Sequence, residues 1–271
     1  MTGDLLYAYA VARDPDGTPA TELAGVTGVA GAPVRLVRAA RGDDTVVAVS
    51  PVPARDFREE ALRDRLEDLE WLAEVARAHH RVIEALACRG TVLPLRLATV
   101  YLDEERVRRM LAAGREAFAA RLSELTGQVE WGVKIYVEGS PDTTAPPTPS
   151  AGAELSPGRA YLSHRRAQRH AREDAYREAG RVARDVESAA HRHAAGRARH
   201  RPQQGELARG PGENVVNDAY LVPRRAADAF RADVLRAAEG APGVRVEVTG
   251  PWAPYSFATS PGAGPETGAG P

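Results

Sequence analysis

The chain has 271 residues, 43% hydrophobic and 27% charged, with a formal net charge of −1, enough apolar mass for one or two cores. Near-neutrality gives no global attraction to nucleic acid or to an anionic membrane, and no uncharged apolar run approaches the ~18 residues that span a bilayer. Cys88 is the sole cysteine, so no internal disulfide forms and a reducing compartment is expected.

Residues 5–11 are short, apolar and tyrosine-bearing, as in a central first strand, and Asp14-Pro15-Asp16-Gly17 stops them with turn chemistry. The Gly-rich stretch 24–32 reads as irregular. Residues 34–39 and 45–49 flank Arg41-Gly42-Asp43-Asp44 as a hairpin. The second arm has so little polar alternation that both its faces are expected to be covered.

Asp56 opens a charged helical stretch with Leu62, Leu66 and Leu69 on one stripe. It leads, with or without a bend near Asp68, into an amphipathic helix. The apolar spacing there runs through Leu69, Leu72, Ala73, Ala76, His80, Ile83, Leu86 and Ala87. Arg89-Gly90 supplies a cationic last turn and a left-handed cap, and Cys88 beside it reads as a small buried hydrophobe. Residues 91–97 form a short strand. Pro94 cannot donate a ladder hydrogen bond, so this strand is either an edge or bent.

Asp103 caps a further helix, with Glu104 and Glu105 at its positive end. Its stripe is Val107, Met110, Leu111, Gly114, Ala117, Phe118, Leu122 and Leu125, and Gly127 ends it. Val129, Trp131, Val133, Ile135 and Val137 then alternate with Glu130, Gly132, Lys134, Tyr136 and Glu138, the cleanest strand pattern in the chain.

The order strand, hairpin, helices, strand, helix, strand suits a ferredoxin-like α/β sandwich over 1–138. Its strand–helix–strand unit is expected to return to the same sheet by a right-handed crossover. Helices cover one sheet face, and the other is open or used for contact. Residues 139–158, rich in Pro, Thr and Ser, form a linker. The second domain, 159–258, is α+β. It opens with twelve arginines against five acids over 159–201, on a long helix with a narrow seam at Leu162, Ala175, Tyr176, Ala179, Val182, Ala183, Val186 and Ala190. A strand at 215–222, a helix at 224–238 after Pro223, and a strand through Val244, Val246 and Val248 follow. Residues 259–271 form a disordered tail.

Chemistry-bearing patterns are sparse. His79 and His80 are adjacent on a helix and diverge by ~100°, so they do not chelate one metal; one is expected inside and hydrogen-bonded, the other solvated. His191 and His193 are equally ill-placed. Glu59-Glu60 and Glu104-Glu105 sit in charged helix starts with nothing to raise a carboxyl pKa. Ser50 and Ser163 lack a nucleophile-elbow setting, and no phosphate-cradling glycine pattern appears. The arginine-rich helix could grip phosphates, but its acids interrupt the basic face. Residues 4–138 carry 22 acids against 18 bases, opposite in sign to that helix.

Seven stretches in order resemble the GvpL/GvpF family of gas vesicle proteins. They are LLYAYAV at 5–11, ARAHHRVIEAL at 76–86, TVLPLRLATVY at 91–101, VEWGVKIYVE at 129–138, GRAYLSHRRAQR at 158–169, NDAYLVPR at 217–224 and GPWAPYSF at 250–257. Ala253 stands where the last motif usually has proline. The resemblance implies a two-domain α+β protein with a ferredoxin-like N-terminal domain. It further implies a cytoplasmic, gas-vesicle-associated, non-enzymatic accessory or minor component of the vesicle, without a cofactor. Such a protein binds the small hydrophobic shell protein and other accessory proteins, and neither nucleic acid nor membrane. Within that reading Leu93, Pro94, Leu95, Arg96 and Leu97 are the candidate partner-binding residues, with the three leucines along one face. GPWAPYSF is expected to fold Trp252, Tyr255 and Phe257 onto the second domain. The competing readings are a small-molecule sensor or enzyme on a ferredoxin-like sheet, and a basic nucleic-acid module.

Overall fold

The computed structural model describes residues 3–14, 23, 25–40, 43–65, 67–138, 157–203 and 212–258. The expected tail, all but the last two residues of the expected linker, the turn at 15–17, the hairpin tip at 41–42 and Leu66 lie outside the described residues. The chain folds as two units, Met1–Val129 with Trp252–Pro271, and Glu130–Pro251.

The first unit holds β1 (Leu5–Arg13), β2 (Arg35–Arg38), β3 (Thr45–Val52), β4 (Val92–Pro94) and β5 (Val100–Tyr101). They form one sheet of order β2-β3-β1-β4, with β5 also on β1, and every pairing is antiparallel. β3 and β4 therefore run parallel on either side of β1. The helices between them make this a split β-α-β unit, the ferredoxin-like arrangement.

Those helices are α1 (Ala54–Phe57), α2 (Glu59–Arg65) and α3 (Leu69–Ala87). The chain bends at Asp68, whose carboxylate accepts from the N–H groups of Glu70 and Trp71 at 3.1 Å each, a side-chain cap that starts α3 afresh. The buried face of α3 is Val75, Ala78, His79, Val82, Ile83 and Leu86, rotated from the stripe the spacing suggests, and Leu69 is 67% exposed. An alanine-rich helix offers two apolar stripes, and the one carrying Val75 and Val82 removes more area from water. Cys88, at the C-cap, is exposed and not buried. Gly90 closes the turn through its N–H on the Leu86 carbonyl (3.2 Å) without the left-handed backbone expected of it.

Where one helix was expected after Asp103 there are two, α4 (Glu104–Ala113) and α5 (Arg115–Leu125). Asp103 caps α4 by accepting from Arg106 N–H at 2.8 Å. At Gly114, between them, a Cβ would come within 2.4 Å of the Phe118 ring. α4 packs on β2 and β3, and α5 on β1, β3 and β4, burying Val107, Leu111, Leu122 and Leu125. Tyr7 and Tyr9 belong to the core under α3, while Leu6, Ala8, Val47 and Val49 are buried as well. Among the described residues both sheet faces are thus covered, where one was expected to be open or used for contact.

The second unit holds β6 (Gln128–Val137), α6 (Pro157–His191), β7 (Gly196–Arg199), β8 (Glu213–Pro223), α7 (Ala227–Ala237) and β9 (Val244–Trp252), with sheet order β7-β8-β6-β9. By chain rank this is the order of the first sheet. Asn214 Nδ2 donates to the Ile135 carbonyl at 3.1 Å while Gly212 lies against Val137, so β8 runs antiparallel to β6. The second unit therefore has the full β-α-β-β-α-β sequence.

The domain boundary expected at 138 is corrected: β6 is the inner strand of the second sheet and does not close the first. Trp131, Val133 and Ile135 on one face and Glu130 and Tyr136 on the other are all buried, which suits a central strand. The crossover from 91–97 back to the same sheet does not occur. α6 stops at His191 where a helix through 201 was expected. Gly196 begins a strand in which Arg197, Ala198 and Arg199 oppose Tyr220, Ala219 and Asp218. The seam of α6 is Ala175, Ala179, Val182, Val186, Ala189 and Ala190, and Trp131 and Tyr220 meet Phe230 at ring centroids of 6.0 and 5.7 Å.

Candidate functional site

The candidate stretch 91–97 is both an edge and bent. Val92, Leu93 and Pro94 pair with Ala12, Val11 and Ala10, and pairing resumes only at Val100 and Tyr101, opposite Tyr7 and Leu6. Between them residues 95–99 leave the ladder as a bulge on β1. It is tied down at both ends: Leu95 N–H donates to the Tyr9 carbonyl (2.9 Å), and Ala8 N–H to the Thr99 carbonyl (2.9 Å). Its turn is closed by Thr99 Oγ1 donating to the Arg96 carbonyl at 2.7 Å, with Ala98 in the left-handed region at φ 61°.

Two buried side chains hold the bulge from beneath. Tyr7 Oη accepts from Ala98 N–H at 2.9 Å and lies 3.0 Å from His79 Nδ1, while the His79 ring also hydrogen-bonds the backbone of Leu95. A neutral imidazole has one donor. Between Tyr7 Oη and the Leu95 backbone, the neutral ring can donate on one side and accept on the other. Burial lowers the His79 pKa from 6.5 to about 4 and raises that of the Tyr7 hydroxyl above its ordinary value. Beside them Tyr9 Oη sits 2.6 Å from Ser50 Oγ and accepts from Val29 N–H at 2.7 Å.

Of the five candidate residues, Leu93 and Pro94 are buried, Leu95 is half-buried, and Arg96 and Leu97 are exposed. The leucines therefore do not form one strand face, because the strand ends at Pro94. Leu97 is 38% exposed and Leu102, just past β5, 63%. Tyr7, His79, Ala98 and Leu102 were not singled out for this site. The sequence signal for His79 was present in the adjacent pair, and Leu102 precedes the Asp103 cap, where an apolar residue ordinarily staples back onto its helix.

His80 is not simply solvated. Its Nδ1 lies 2.9 Å from Tyr255 Oη, its Nε2 3.1 Å from Glu84, and its ring 5.4 Å from that of Trp252. Arg121 donates to the Phe257 carbonyl at 2.8 and 2.5 Å, and Ala253 joins the first core. Residues 252–258 thus clasp the first unit, correcting the expectation that they pack on the second.

Three arginines in the second half of α6 pair with acids. Arg177 pairs with Asp174, Arg181 with Glu178 (2.7 Å) and Asp185 (2.5 Å), and Arg172 with Glu213 (3.3 Å). Asp233 on α7 accepts from His193 (2.9 Å), Arg192 (3.0 Å) and Arg236 (2.5 Å), which together hold its carboxyl well below the usual carboxylate range. No described helix is long and apolar enough to cross a membrane.

The model of the gas vesicle synthesis protein GvpL/GvpF family matches residues 5–259. The chain belongs to the GvpL/GvpF family. Gas vesicle protein L of Streptomyces sp. (strain CB03234) is 46% identical over 257 residues, 95% of this chain and 94% of that protein. The crystal structure of GvpF from Anabaena sp. PCC7120 superposes with a TM-score of 0.62 at 19% identity, covering 95% of this chain and 97% of that one. GvpF from Microcystis aeruginosa gives 0.60 at 19% identity, covering 96% and 100%. These two likenesses show the GvpL/GvpF fold: two α+β units, each on an antiparallel sheet.

Proposed function

We propose that this protein is a non-enzymatic accessory or minor component of gas vesicle assembly in the cytoplasm, and that it holds the small hydrophobic shell protein, together with other accessory proteins, through the bulge at 95–99. Membership of a gas vesicle synthesis family supports the setting. The observation that carries the contact is the bulge itself, fixed from beneath by Tyr7 and His79 with Arg96 and Leu97 turned outward. A shell subunit with a large apolar face aggregates unless something covers that face until it is incorporated. A rigid, exposed leucine on an otherwise interrupted edge engages such a face at small ordering cost. The three-residue β4 and two-residue β5 make a poor template for strand addition, so side chains and not backbone pairing provide the affinity.

The test is a pull-down of shell protein with the full chain, because residues 1–140 would carry β6 without its sheet. Leu97→Asp is expected to abolish capture and Arg96→Glu to weaken it, with unchanged thermal melting. Capture by Leu97→Asp at the wild-type level rejects the site.

A further inference from the structure

β9 forms one end of the second sheet, and among the described residues no strand lies on its outer flank. Its register on β6 is fixed at both ends. Glu138 N–H donates to the Gly243 carbonyl at 2.9 Å, and Gly132 lies against Thr249. This places Val244, Val246 and Val248 on the face of Val137, Ile135 and Val133. It also sets Arg245 over the Tyr136 ring, at 4.0 Å from its centroid. Every residue from 244 to 250 is half-buried, neither core nor free surface.

The other sheet ends carry features that discourage strand addition. β2 has four residues with arginine at each end. The β4–β5 edge is broken by Pro94 and the bulge. β7 has four residues, two of them arginine. β9 runs for nine residues, and no proline or lysine occurs in it before Pro251.

We propose that β9 is a self-association edge, at which two copies of this chain pair antiparallel about a twofold axis through Val246. In that register Arg245 stands opposite the partner's Glu247, and Glu247 opposite the partner's Arg245. On the other face Val244 meets the partner's Val248, and Val246 meets its own symmetry mate. The run VRVEV is its own complement when one strand is reversed, the condition an isologous interface sets. A one-residue slip would put valine opposite glutamate, and parallel pairing would put arginine opposite arginine, so both charge and polarity select the same register. In the isolated chain Arg245 reaches Glu247 (3.3 Å) and Glu138 (3.4 Å), which holds the guanidinium on the face where the partner's carboxylate would arrive.

Sedimentation equilibrium of the full chain tests this. The wild type is expected at twice the chain mass of 29.0 kDa as concentration rises, with amide exchange along 244–249 slowing in step. Arg245→Glu and Glu247→Arg each place like charges opposite one another twice, and are expected to raise the dimer Kd about tenfold or more. The double variant R245E/E247R restores the pairing. It lacks the native Tyr136 stacking and Glu138 pair just as R245E does, so restoration reads the contact between copies. A wild type at single-chain mass at every soluble concentration overturns the proposal. So does a dimer indifferent to either single reversal, or a folded double variant that stays monomeric. Protection of β9 that arises only when shell protein is added also overturns it, and gives the edge to that partner.

Discussion

His79 faces the Tyr7 hydroxyl on one side and the Leu95 carbonyl on the other, inside a core where only its neutral form is comfortable. A second ring proton would place a cation on a residue that is only 4% exposed, which burial disfavours. The folded-state pKa is lowered to about 4 from 6.5, so below pH 6.5 the unfolded chain binds the proton first. The stability His79 contributes is complete above 6.5 and is lost as pH falls toward 4, by about 3 kcal/mol in all at ~1.4 kcal/mol per pH unit. His79→Gln removes that slope. Melting temperatures followed from pH 7 to pH 4 are expected to converge between wild type and variant as the pH drops. Parallel curves would show that the imidazole is not the titrating group.

At the scale of single elements, short polar signals governed more than apolar periodicity did. Asp68 illustrates it: its carboxylate takes the free N–H groups of Glu70 and Trp71 in the first turn of α3, and this cap, not a change in hydrophobic spacing, separates α3 from α2. Asp68→Ala is expected to cost about 1 kcal/mol, read as a lower midpoint in urea with an unchanged slope. A negligible shift would place the helix start under tertiary control. The Asp103 cap, the edge character implied by Pro94 and the alternation of β6 were equally legible, because each rests on local geometry. The phase of α3 was not, since alanines leave it ambiguous until Val75 and Val82 meet a sheet. Nor was the bulge, whose conformation is imposed from 91 residues away by the hydroxyl of Tyr7, which accepts from Ala98 N–H and also meets His79. Of the stretch 91–97, the edge position could be read and the orientation of its leucines could not.

For the whole molecule, the decisive fact is that two sheets share one strand order although their helices differ. Each is built on a long inner strand, β1 or β6, flanked by two strands parallel to each other. Linear reading assigns β6 to the unit that precedes it because nothing in an alternating strand names its sheet. The same reading assigns 252–258 to the unit just before it. In fact these residues return to the first unit, so the second interrupts the first in sequence. The clasp then has a consequence that linear order would not suggest. Tyr255 Oη bonds His80 on α3, and the Phe257 carbonyl takes Arg121 of α5, with the Phe257 ring buried. Removing the Tyr255 hydroxyl and the Phe257 ring (Tyr255→Phe with Phe257→Ala) takes away one hydrogen bond and leaves a cavity, together costing the first unit about 3–5 kcal/mol. Amide hydrogen exchange is expected to accelerate in α3, α5 and β1, more than 100 residues upstream in sequence. The amides of β6 and β8, which belong to the unit immediately preceding the clasp, are expected to keep their protection. Loosening of β8 and α7 ahead of α3 would return these last residues to the second unit and undo the assignment.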